Sequence, residues 1–99
     1  MEDGKITVMA LIKAKDGMAD IVKHELLALI EHTRKESGCI SYDLHQSKET
    51  AGHFMFYETW ASTEALDKHL AMPHIQNIIK KSTEIFAEPI QVTLWKKES

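Results

Sequence analysis

The sequence predicts an α+β fold whose elements run β-α-β-β-α-β, the ferredoxin-like split βαβ arrangement: an antiparallel sheet with its helices on one face. Three observations predict it. Four segments alternate with the two-residue period of strands, and two regions between them carry the helical period. The two middle strands are joined by a short polar link, which makes them a hairpin. Finally, 99 residues, 43% hydrophobic and 27% charged, suit a single domain over residues 1–99 with one core.

The first strand is Lys5 to Ala14. Ile6, Val8, Ala10 and Ile12 line one face, and Thr7, Met9 and Leu11 make the other mostly apolar too. A strand apolar on both faces is covered on both sides. With helices on one side only, the cheapest cover for the other is a second copy of the chain, packed sheet against sheet. Asp16-Gly17 is a turn, with Asp16 a candidate cap for the helix that follows. From Met18 to about Glu36, Met18, Val22, Leu26, Leu29, Ile30 and Thr33 form one helical stripe, with Asp20, Lys23, Glu31 and Arg34 opposite. Ser37-Gly38 ends this helix, glycine being suited to a left-handed cap.

Cys39 to Ser47 is the second strand, with Ile40, Tyr42 and Leu44 expected on one face and Ser41, Asp43 and His45 on the other. Lys48 to Gly52 turns into the third strand, His53 to Ala61. There Phe54, Phe56, Glu58 and Trp60 alternate with His53, Met55, Tyr57 and Thr59. Ser62 caps a short helix through Leu70, and Pro73 fits the first turn of another. In that helix Ile75, Ile79, Ser82 and Phe86 form a stripe flanked by Ile78 and Ile85. Glu88-Pro89 breaks it, and Ile90 to Trp95 is the last strand.

Charge and composition exclude several functions. A net charge of −3, with no basic run longer than Lys80-Lys81 or Lys96-Lys97, does not suit a nucleic acid or an anionic membrane. No stretch is long and apolar enough for a membrane span. Met1-Glu2-Asp3-Gly4-Lys5 reads as an intact cytosolic start, so a cytoplasmic location is expected. Cys39 is the only cysteine and has no thiolate-activating charge beside it. No phosphate-cradling loop, nucleophile elbow or cysteine cluster is present, so no cofactor is expected.

The histidines remain. His24, His32, His45 and His53 read as surface residues. His69 shares a helical face with Leu66 and Leu70 and points inward, while His74 follows Pro73 at a helix start. The positive end of a helix disfavours imidazolium, so a neutral His74 is available as a proton acceptor near pH 7. The alternative is that both are core-edge histidines satisfied by backbone. The spacing allows a zinc pair, but Pro73 interrupts it and no third ligand stands out, so no metal is expected. Tyr42, Tyr57, Trp60, Phe54 and Phe56 form an aromatic set on the hairpin, either packing or the walls of a flat pocket between sheet and helices. Glu58 among them needs a partner, such as a histidine, a tyrosine or a cation across a subunit seam.

Two runs carry a family resemblance. Phe56-Tyr57-Glu58-Thr59-Trp60 is followed by Ser62, Ala65-Leu66 and His69-Leu70-Ala71-Met72-Pro73-His74, and Glu36-Ser37-Gly38-Cys39 leads into Tyr42. Together they resemble the antibiotic biosynthesis monooxygenase domain family over nearly the whole chain. The resemblance implies a dimeric α+β barrel of two ferredoxin-like subunits joined through their sheets. It also implies one of several activities: cofactor-free oxygenation of quinols or hydroxyaromatics, heme degradation, or isomerisation of a phosphorylated sugar derivative. The heme-degrading members use an asparagine on the first strand and a histidine in the late helix. The first strand here has no asparagine and the late-helix position nearer Ile78 carries no histidine, so that activity is disfavoured.

The leading expectation is a cofactor-independent monooxygenase acting on a hydroquinone or polyphenolic small molecule. His74 is the expected base and His69 its partner or an oxyanion donor. Tyr42 and Tyr57 are further donors, and Phe56, Glu58 and Trp60 line the substrate site. An isomerase of a small carbonyl compound and a non-catalytic small-molecule-binding dimer are the alternatives.

Overall fold

The eight residues Ile6–Lys13 form strand β1, and alternating burial along it separates a helix-covered face from an open one. Helix α1 spans Ala19–Arg34, the hairpin strands β2 and β3 span Cys39–Gln46 and His53–Trp60, and helices α2 and α3 span Thr63–Leu70 and Pro73–Ile85. Strand β4, Gln91–Trp95, closes a sheet of order β2-β3-β1-β4 in which every pairing is antiparallel. The chain is a computed structural model that describes residues 4–99; the Met1-Glu2-Asp3 part of the chain start lies outside the described residues. The order is thus β-α-β-β-α-α-β, the expected ferredoxin-like α+β fold with its second helical region split in two. Pro73 causes the split, because it has no amide hydrogen to continue α2 but fits the first turn of α3.

The core lies between the sheet and the helices. Val8, Ala10 and Ile12 of β1 and Phe54, Phe56 and Trp60 of β3 meet Val22, Leu26 and Leu29 of α1, Leu66 of α2, and Ile75, Ile78 and Ile85 of α3. Burying these side chains stabilises the fold by roughly 1.5–3 kcal/mol for each large one. The opposite sheet face is open in the single chain, with Leu11, Tyr57 and Trp95 exposed. Val92 and Leu94 pair with Ala10 and Val8 on the helix side, yet both are exposed because β4 is the sheet edge.

Four local expectations need correction. Asp16 does not cap α1; Met18 occupies the cap position without a side-chain bond. Gly38 is not left-handed, since among the described residues only Gly4 and Gly17 have positive φ. Its absent side chain serves close approach instead, because a Cβ there would collide with the Cβ of Ala65 on α2. In β2, Ile40 does not share a face with Tyr42. The register shifts between Cys39 and Ser41, and this bulge leaves Ile40 exposed while Tyr42 faces inward. In α3 the buried stripe runs through Ile75, Ile78 and Ile85, and Ile79 is exposed.

Candidate active site

The cluster begins at the end of α1. Thr33 is its last buried residue, and two residues beyond the helix Glu36 turns its carboxylate under α2 and α3. Ser62 caps α2 by accepting the amide hydrogen of Ala65, which fixes the helix phase that sends His69 inward, 3% exposed. Pro73 then starts α3 and places His74 in its first turn.

The three side chains meet at one oxygen. His69 Nδ1 lies 2.9 Å and His74 Nε2 3.0 Å from Glu36 Oε2. Side-chain exposures are 4% for His69, 8% for Glu36 and 18% for His74, so His74 is the member that reaches solvent. The Thr33 hydroxyl oxygen stands 3.2 Å from the same His74 nitrogen. A neutral imidazole has one N–H and one lone pair. With both imidazoles donating to Glu36, the lone pairs fall on His69 Nε2 and His74 Nδ1. The carboxylate thus selects the tautomer of each ring, as a carboxylate does in a catalytic triad. Burial lowers the pKa of His69 and outweighs the opposing hydrogen bond and charge of Glu36, so this ring is neutral at pH 7.

The aromatic residues complete the inner face. The Tyr42 ring stacks on Phe56 at 4.5 Å and meets His69 edge-on at 5.6 Å, and Trp60 lies 4.4 Å from His69. Trp60 Nε1 donates to Glu58 Oε1 at 2.8 Å, so the partner Glu58 requires is two residues along its own strand. Glu58 is 4% exposed, and burial raises its pKa to about 7 against the opposing Trp60 hydrogen bond, with the Glu36 charge adding to the rise. Burial, chiefly, also holds the Tyr42 hydroxyl well above the ordinary phenol range.

Of the residues singled out from sequence, His69, His74, Tyr42, Phe56, Glu58 and Trp60 converge on this inner face. Tyr57 does not. It stands on the opposite face, 45% exposed, because successive side chains of a strand point to opposite sides. His32, read as a surface histidine, is exposed but has its ring 5.6 Å from that of His74. Glu36 is the residue that sequence reasoning missed as a site residue, although it opens the Glu36-Ser37-Gly38-Cys39 run. It also supplies the third ligand-type side chain that the spacing of His69 and His74 lacked.

A groove of about 270 Å³ adjoins the cluster, lined by Glu36, Ser37, Gly38, Ala65, Lys68, Ala71 and Met72. Its lining is mostly small residues, with Glu36 and Lys68 as the charged members. A broader concavity of about 1080 Å³ lies on the open sheet face, lined by Thr7, Met9, Ile40, Tyr57, Trp95 and the C-terminal residues among others. It contains none of Glu36, His69 and His74, whereas the smaller groove is bordered by Glu36.

Comparisons with known proteins bear on this geometry. The family model described as antibiotic biosynthesis monooxygenase matches residues 5–81. The Mycobacterium tuberculosis protein named "Putative monooxygenase Rv0793" is 33% identical over 90% of this chain and 87% of its own length. Its solved structure superposes with a TM-score of 0.89, covering 96% of both chains. A solved Pseudomonas aeruginosa structure, PA3566, reaches a TM-score of 0.93 at 26% identity and covers 100% of this chain and 99% of its own. A Synechocystis relative, sll1783, is 34% identical over 95% of this chain, which spans 64% of that protein's length.

Proposed function

The chain belongs to the antibiotic biosynthesis monooxygenase family, and from that premise we propose that it hydroxylates a hydroquinone or polyphenolic small molecule with O2, drawing both electrons from the substrate. The observation that carries this reading is the single carboxylate oxygen of Glu36 shared by two imidazoles, in a residue that also borders a groove of mostly small side chains. That arrangement holds an imidazole, oriented by a carboxylate, at the edge of a largely buried site.

The ring lies in the groove against Glu36, with a hydroxyl directed past that carboxylate toward His74, the member of the cluster that reaches solvent. His74 Nδ1 takes the hydroxyl proton, and Glu36 stabilises the resulting imidazolium. The electron-rich ring anion gives one electron to O2, and the radical pair recombines to a ring-bound peroxide. The ring carbon then loses its hydrogen as a proton while the O–O bond breaks. One oxygen atom stays on carbon and the other leaves as water. Hydroquinone and O2 thus yield hydroxyquinone and water, with no external reductant. His69, held by the same carboxylate, keeps a lone pair on Nε2 toward the aromatic floor and sets the position of Glu36. Tyr42 and Trp60, buried against His69, close the cluster on its inner side.

The reading includes a homodimer. Leu11, Ile40, Tyr57 and Trp95 expose apolar surface on one sheet face, which a second copy covers by packing sheet against sheet. In this arrangement Tyr57 is an interface residue rather than a donor to substrate.

Oxygen uptake with a panel of hydroquinones tests the reaction. Enzyme-dependent uptake, lost with His74→Ala, is the expected result. No uptake across the panel, with a carbonyl compound isomerised or a ligand bound unchanged, would overturn it.

A further inference from the structure

We infer that Glu36, His69 and His74 together form a binding site for a borderline divalent transition-metal ion, of which Zn²⁺ is the probe. The three donor atoms come from separate elements and lie within 4.8 Å of one another. Two edges of that triangle, from Glu36 Oε2 to the two ring nitrogens, measure 2.9 and 3.0 Å. Donors about 2.0–2.1 Å from a tetrahedral zinc stand roughly 3.3 Å apart. The observed edges therefore need to open by only a few tenths of an ångström while the two rings draw together. Two imidazoles and one carboxylate are the donor set of catalytic zinc and of the facial-triad metals, whereas calcium and magnesium prefer oxygen alone. Three protein ligands leave a fourth position, and the groove beside Glu36 gives water or an anion access to it.

Binding changes which nitrogen of each neutral-form ring carries hydrogen. In the metal-free state the two N–H groups point at Glu36. A metal takes the lone pairs of His69 Nδ1 and His74 Nε2, so the protons move to His69 Nε2 and His74 Nδ1. On the proposed reaction His74 Nδ1 is the proton acceptor. A bound ion therefore blocks it, and metal occupancy and turnover exclude each other. That consequence rests on the proposed reaction; the metal site does not.

Equilibrium dialysis of the chelator-treated protein against zinc sulfate, with no substrate present, tests the site. The expected result is one zinc per chain, with binding weakened about 10-fold or more in Glu36→Gln and in His74→Ala, and unchanged in His24→Ala and His45→Ala. Should the variants fold poorly, cobalt(II) absorption of the unaltered protein supplies a second measurement, and an intense visible spectrum of low-coordinate cobalt is expected. No retained zinc, retention equal in the Glu36 and His74 variants, or the pale spectrum of hydrated cobalt would overturn the inference. Any of these leaves the proton-transfer reading standing. Absence of oxygen uptake would remove that reading without touching the metal site.

Discussion

Glu58→Gln should make the protein more stable above neutral pH, by an amount the structure sets. Glu58 is 4% exposed, and its pKa is raised to about 7 from the ordinary 4.5, mainly by burial. Below pH 4.5 folded and unfolded chains both carry the neutral acid, and ionisation contributes nothing. As the pH rises through 4.5 the unfolded chain releases the proton and gains free energy that the folded chain gains only above about 7. Stability is therefore lost across that window and the loss then levels off. At about 1.4 kcal/mol per unit, the interval corresponds to about 3 kcal/mol. Glutamine keeps a carbonyl oxygen to accept the Trp60 Nε1–H bond of 2.8 Å and carries no titratable proton. For a chain of this size 1 kcal/mol corresponds to about 4 °C or more in Tm, so the variant should melt at least about 12 °C higher at pH 8. Below pH 4.5 the two proteins should melt together. Urea unfolding of both at several pH values between 4 and 8 measures the difference directly. Parallel stability curves would show that Glu58 ionises normally in the fold, and would refute the buried neutral acid.

Three further outcomes are expected. His74→Ala should lower turnover roughly 10²–10⁴-fold with little change in Tm, and His24→Ala, exposed on α1, should alter neither; a His74→Ala loss of Tm with activity kept would assign the ring a packing role. Gly38→Ala should destabilise the fold by about 1–3 kcal/mol through its collision with Ala65, and Gly38→Ala with Ala65→Gly should recover most of it in urea titrations. On the proposed sheet-to-sheet dimer, the unaltered protein should sediment at about twice the 11.3 kDa chain mass and Leu11→Asp, on the open sheet face, should move it toward one chain without unfolding it.

Strand and helix periodicity made most of this fold legible. The alternation in β1 and β3 and the apolar stripe of α1 are local patterns, and tertiary packing followed them. What the pattern could not carry was any feature that depends on a neighbour far along the chain. The β2 bulge is one: a period of two read through Ile40 assigns it to the face of Tyr42, and only the pairing with β3 reveals the extra residue. Gly38 is another. A glycine after a helix suggests a left-handed cap, but its reason here is Ala65 on a different element. The site divides the same way. His69 and His74 lie on helical faces and could be placed from sequence, as could the inward set of β3. Glu36 sits past the end of α1 in a turn, where a carboxylate is normally solvated, and 33 residues separate it from His69. The aromatic character of Tyr57 suggests the pocket, but its strand parity assigns it to the other face.

In the proposed reaction an imidazole held by Glu36 draws a proton from a hydroquinone, which then reacts directly with O2. Turnover under isotopically heavy O2 tests it most directly. The product, isolated at once, should carry one heavy oxygen atom and the released water the other, with one O2 consumed per ring and no hydrogen peroxide formed. A product without the label, or heavy hydrogen peroxide in place of water, would contradict it.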